Sequence, residues 1–284
     1  MSAWGGAFYA CIRLGHLRQE TAVATRAQPV ITSCKEGINR IELGERGASI
    51  MTKQKARIIG LVYLLFFLTS ILSEACLKGL VVKDDSAATA NAIVTHAQLF
   101  HLGIATGLIG TGFYVALVAL FYMLFKPVSR SVSLVAAFFG LVGCAIQASG
   151  SVFQFFTLTN LGNGGTVSVF SSDELSGRAV GMLFLKLTHQ VGNVALVFFG
   201  VYCLLIGCLI LRSTFLPRFL GVLMALAGLG WLIFLYPPLA ERLFAYIAIV
   251  GITAEALLML WLLVMGVNTE RWREQAAASK TLNS

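Results

Sequence analysis

"KLTHQVGNVALVFFGVYCLLIGCLIL", Lys186 to Leu211, decides the fold. Its last eighteen residues carry no charge and suit the interior of a lipid bilayer. Its first eight hold Lys186, His189, Gln190 and Asn193. A spanning helix needs about 20 predominantly apolar residues. The segment meets that length only if its polar turns also enter the membrane.

Five further stretches have the same character: Ile58–Leu77, Leu99–Phe125, Val132–Leu158, Phe219–Tyr236 and Leu243–Val267, with Met182–Leu211 as the fourth span in chain order. The chain has 284 residues, of which 57% are hydrophobic and 12% charged. Its mean hydropathy is +0.82. A soluble domain has roughly 45–50% apolar and about 25% charged residues. No single soluble core hides that excess. Backbone groups in lipid must be satisfied within the segment, which makes helices the form. Transmembrane strands would alternate over about 10 residues; these runs are apolar all round. The expected fold is all-α, a polytopic membrane helix bundle of six transmembrane helices.

The net charge of +8 is read as topology. With the start of the first span in the cytoplasm, the inside segments hold ten Lys and Arg beyond residue 50: Lys53, Lys55, Arg57, Lys126, Arg130, Arg212, Arg218, Arg271, Arg273 and Lys280. The outside segments hold four, Lys78, Lys83, Arg178 and Arg242. That asymmetry predicts both termini inside, in a cell inner (plasma) membrane. The basic clusters then meet lipid headgroups, and nucleic acid is not an expected partner. The six cysteines (11, 34, 76, 144, 203, 208) show neither C-x-x-C nor a disulfide framework.

Three regions follow: residues 1–50 as an N-terminal extension, 55–268 as the six-helix domain, and 269–284 as a cytoplasmic tail. Residues 1–50 lack an apolar signal-peptide region and are expected to be poorly ordered. "MTKQKARIIGLVYLLFF" from Met51 reads as a natural start, and the purine-rich codons available to Glu45-Arg46-Gly47 resemble a ribosome-binding site ahead of it. Between spans, "KPVSRS" (126–131) and "RSTFLPR" (212–218) are short turns with helix-breaking Pro127 and Pro217. Residues 78–95 include a helix-compatible run from Ser86. Residues 159–180 are Gly- and Ser-rich, with a helix restart near Ser171 and Ser172, and are expected to form a flexible loop or lid. Gly103, Gly107 and Thr111, and Gly140 with Cys144, are small-residue spacings that let helices pack closely.

"VVKDDSAATANAIV" (81–94), "LFKPVSRSVSLVAAFFG" (124–140) and "LRSTFLPRFLGVLMALAGLGWL" (211–232) resemble the characteristic segments of a bacterial membrane family, domain of unknown function 4386. The resemblance covers roughly 55 to 268, and the Arg212–Gly221 turn is its most specific part. It implies a multi-helix integral membrane protein and brings no activity with it.

The polar residues sort by depth. Glu74 is near the outer end of the first span and His101 at the outer entry of the second. Gln147 is mid-span and Gln154 near the outer end of the third. Lys186, His189 and Asn193 lie in the outer third of the fourth, and Glu255 near the midplane of the sixth. Gln147, Ser151 and Gln154 share a helix face by spacing, as do Lys186, His189 and Asn193, and Ser70 with Glu74. Intramembrane charge is costly and usually faces the bundle interior or a wet cavity. These eight residues therefore outline an outward-facing polar pocket within spans one, two, three, four and six, suited to a small molecule or lipid. Plainer roles compete. Lys186 snorkels to headgroups, Glu74 pairs with Lys78, and His96 sits at the interface. Gln147, Gln154 and Asn193 can be interhelical hydrogen-bond glue. Glu255 must be neutral or paired, with Lys186 or His189 as the candidate partner.

A non-enzymatic binding role is the favoured reading, with no cofactor expected. One alternative is a proton-coupled transporter using Lys186, His189 and Glu255. The other is an intramembrane metal-dependent hydrolase with His101, His189 and Glu255 or Glu74 as ligands. Neither H-E-x-x-H nor an inverted repeat supports these.

Overall fold

In a computed structural model of the chain, backbone contacts divide it into residues 1–50 and 51–284. The structure describes residues 51–82, 85–162 and 174–281. The expectations for residues 1–50, and for the loop at 163–173, lie outside them.

The described chain is helical: α1 (Lys53–Lys78), α2 (Ser86–Thr95), α3 (Ala97–Phe125), α4 (Arg130–Gly162), α5 (Glu174–Arg212), α6 (Arg218–Leu232), α7 (Pro237–Val264) and α8 (Thr269–Thr281). A 3₁₀ turn, Ile233–Leu235, joins α6 to α7. Six of these helices are long and apolar enough to cross a membrane: α1, α3, α4, α5, the α6 segment extended to Leu235, and α7. The protein is a multi-pass membrane protein of all-α class.

Local chemistry places the helix ends. Thr52 and Asp85 cap α1 and α2, their side chains accepting from Lys55 N and Ala88 N at 3.2 and 2.8 Å. Pro217 precedes α6, and Pro237 opens α7, where no backbone N–H is needed. The sixth span therefore starts at Pro237 rather than Leu243. It stops at Val264, short of the expected Val267, because Gly266 turns the chain with φ +70°.

The spans form a closed ring, α1–α3–α4–α5–α6–α7 and back to α1. Glycine permits its tightest joints. A Cβ on Gly60 of α1 would lie 2.5 Å from Leu263 N of α7, and one on Gly228 of α6 would lie 2.6 Å from Leu204 N of α5. The short-turn end, which carries the 126–129 and 213–217 turns, is densely packed with Ile59, Leu117, Phe121, Phe125, Leu209 and Leu262. Helix α8 closes that end. Buried Trp272 donates its indole N–H to Leu124 O at 2.9 Å, and Gln275 donates to Arg212 O at 3.2 Å. At the opposite, long-loop end, α2 packs with α3, α4 and α5 over Ile93, Phe100, Ile104, Leu158 and Leu161.

Candidate functional site

Interior faces can be followed by taking every seventh residue along each helix, since seven residues are close to two turns. On α4 the stripe is Ser133, Gly140, Gln147, Gln154 and Leu161. Ser133 bonds to Tyr122 O of α3 at 3.2 Å. A Cβ on Gly140 would meet Val118 of α3 and Tyr202 of α5, and Leu161 joins the α2–α3 cluster. The stripe thus faces between α3 and α5. Its ends are buried, yet Gln147 is exposed and Gln154 half-buried.

The other helices loosen in step. On α1, Ala56 and Tyr63 are buried and Ser70 is half-buried. On α3, Phe125 and Val118 are buried, Thr111 half-buried and Ile104 buried again. On α5, Ile210 and Cys203 are buried, Leu196 half-buried and His189 exposed. On α7, Leu262 is buried, Glu255 and Ala248 half-buried and Glu241 exposed. Gly192, nearly in line with Cys203 on α5, would place a Cβ with nothing within 4 Å. Among the described residues, the hydrogen bonds and close approaches between α1 and α7 lie at Tyr63–Glu255 or nearer the short-turn end. Toward the long-loop end α1 instead joins α3, with Ser73 donating to Gly103 O at 2.7 Å. There α7 joins α6, with Gly251 against Trp231.

Glu255 sits where the packed half ends. Tyr63 donates its hydroxyl to Glu255 Oε2 at 3.2 Å. Cys203 Sγ lies 3.9 Å from Oε1, at the limit for a thiol donor. Lys186 and His189 are not its partners: among the described residues the salt bridge is Glu74 with Lys78, at 3.0 Å. Around the carboxylate is an aromatic chain from three helices. Tyr63 is 6.2 Å from Phe66 and 6.0 Å from Phe121, centroid to centroid. Phe66 is 4.7 Å from Tyr114. Tyr114 is 5.0 Å from Phe199 and 6.0 Å from Tyr202. The Tyr202 hydroxyl is buried without a hydrogen-bond partner.

The remaining candidate residues are spread more widely. Glu74 is exposed on α1 and its pair with Lys78 is the plainer role foreseen for it. His101 is exposed, its ring 6.2 Å from Phe155 of α4. Lys186 and His189 are exposed on α5; Asn193 is half-buried with Nδ2 3.5 Å from His189 Nδ1. Among the described residues no three His, Cys, Asp or Glu side chains are grouped to hold a metal ion, so His101, His189 and Glu255 do not converge as ligands. Sequence reasoning sorted charged and amide residues by depth and passed over Tyr63, Tyr114, Tyr202 and Cys203. A usable signal existed: a tyrosine hydroxyl deep in a span needs a partner in the bundle.

This is the architecture of an integral membrane helix bundle. The chain belongs to the family described as domain of unknown function (DUF4386), whose profile matches residues 58–266. It is also similar to an uncharacterized protein of Archaeoglobus fulgidus, 24% identical over 148 residues, which cover 51% of this chain and 72% of that protein. No solved structure matches it.

Proposed function

We propose that this is an inner (plasma) membrane protein with both termini in the cytoplasm, and that an outward-opening cavity within the bundle binds a small molecule or lipid. The observation that carries the reading is the loosening of five interior stripes at one level. A glutamine flanked along its own face by buried contacts, yet itself exposed, supports a gap in front of it. The Lys/Arg asymmetry supports the orientation. The apolar, α8-covered short-turn half favours binding over a transport path. The divergence of α1 and α7 offers a side entrance from the outer leaflet, and membrane lipids are the surrounding partners.

The test is cysteine accessibility in intact cells, read against wild-type background labelling. Gln147→Cys and Gly192→Cys are expected to react with a membrane-impermeant maleimide added outside. Ser129→Cys, in a short turn, is expected to react only after permeabilisation. If both interior positions stay unlabelled while Glu241→Cys reacts, there is no outward-opening cavity.

A further inference from the structure

We propose that the cavity's occupant is a lipophilic organic cation: a tertiary or quaternary ammonium or phosphonium centre carried on an apolar body. The inference rests on the cavity reading and adds the chemistry of its floor. Glu255 is a carboxylate at membrane depth whose described partners, Tyr63 and Cys203, are neutral donors. Of the other acids on the spanning helices, Glu74 already has Lys78 and Glu241 is exposed near the start of α7. Isolated buried charge is strongly unfavourable, so Glu255 is ionised there only when a cation completes it.

The rings supply the second half of such a site. Tyr63, Phe66, Tyr114, Phe199 and Tyr202 form one connected aromatic cluster beside that carboxylate. Ring faces attract alkylammonium centres, and more so when water is excluded. An inorganic ion would need several oxygen ligands, whereas the groups around Glu255 are mostly aromatic. The Tyr202 hydroxyl is itself unpartnered in a residue only 2% exposed. It is a buried polar group beside Tyr114, left without a partner among the described residues.

The cations of the same cavity do not oppose this. Lys186 is exposed and seventeen residues from Cys203 on α5, about 25 Å along the axis. His189 is one turn nearer and already contacts Asn193. An anionic occupant would meet Glu255 as a like charge at the base. The cation can come from two sources, a free amphiphile or the trimethylammonium headgroup of a lipid.

The experiment titrates the purified full chain in neutral detergent with tetraethylammonium, benzyltrimethylammonium and tetraphenylphosphonium, and with tetraphenylborate as the size-matched anion. Saturable binding of at least one cation is expected, and none of tetraphenylborate titrated on its own. Glu255→Gln is expected to weaken it about tenfold or more, and Tyr114→Leu more than Tyr114→Phe, because the ring face is the contact. Binding that is weaker in phosphatidylcholine than in phosphatidylethanolamine nanodiscs, both zwitterionic, identifies the trimethylammonium headgroup as the competing source; equal binding identifies the free cation. The proposal is overturned if no cation in the series binds, or if tetraphenylborate, titrated separately, binds as tightly. The latter result on wild type decides the matter even where a variant fails to fold. If Gln147→Cys is labelled from outside and no cation binds, the cavity stands and its cationic occupant falls.

Discussion

At the residue scale, the pair Tyr63–Glu255 joins two helices 192 positions apart in sequence. Losing one partner of a buried hydrogen bond costs about 1–3 kcal/mol. Tyr63→Phe is therefore expected to lower the unfolding temperature in detergent. Glu255→Gln should lower it less, since an amide oxygen still accepts from Tyr63. If the two losses simply add in the double variant, the pair is not coupled. Tyr202→Phe should behave in the opposite sense. Removing an unpartnered buried hydroxyl leaves the empty protein as stable or more so. The same change should weaken cation binding if the hydroxyl meets the occupant. Glu255 was legible in the sequence because a charge in an apolar run stands out. Its tyrosine and cysteine partners were not, because both residue types are common as ordinary packing groups in spans.

At the element scale, the ring is held by backbone approaches that tolerate no side chain. Gly60→Val and Gly228→Val drive methyl groups into the backbone of α7 and α5. Both are expected to reduce folded yield sharply on size-exclusion chromatography. Gly192→Ala and Gly112→Ala add a methyl that meets nothing within 4 Å. They should stabilise the helices by about 0.5–1 kcal/mol each, read as a raised unfolding temperature. A drop at Gly192 would mean that α5 packs there. Helix α8 went unforeseen, because residues 269–281 are polar and read as a tail. Its buried anchor is the Trp272 indole. Trp272→Ala is expected to cost about 3–5 kcal/mol, against little for Arg273→Ala on the exposed side. Equal effects of the two would show that α8 does not hold the end closed.

At the scale of the whole molecule, the two ends differ in kind. The short-turn end is packed and covered; among the described residues the long-loop end is packed where α2 lies over α3, α4 and α5 and where Phe234, Ala240 and Ile247 meet α5. The proposed orientation, which rests on the charge bias, puts the covered end in the cytoplasm. A reporter active only inside the cell, fused after Ser284, should be active, and the same reporter inserted between Ala87 and Ala88 should be silent. The reverse pattern would turn the cavity toward the cytoplasm and remove the outward-facing reading.

The sequence alone determined the class and the number of spans, because hydrocarbon solvation acts locally: about 20 apolar residues cross a bilayer whatever their neighbours are. Periodicity also located the polar stripes, since residues three, four and seven apart share a face in any helix. Only the tertiary structure decided which stripes meet. That depends on the ring order and on glycine-sized gaps between particular pairs of helices, and neither is written in the spacing of any one segment. So Lys186 and Glu74, conspicuous in sequence, lie at the exposed end of the bundle. Glu255 meets Tyr63 and Cys203 because α1, α5 and α7 converge at that depth.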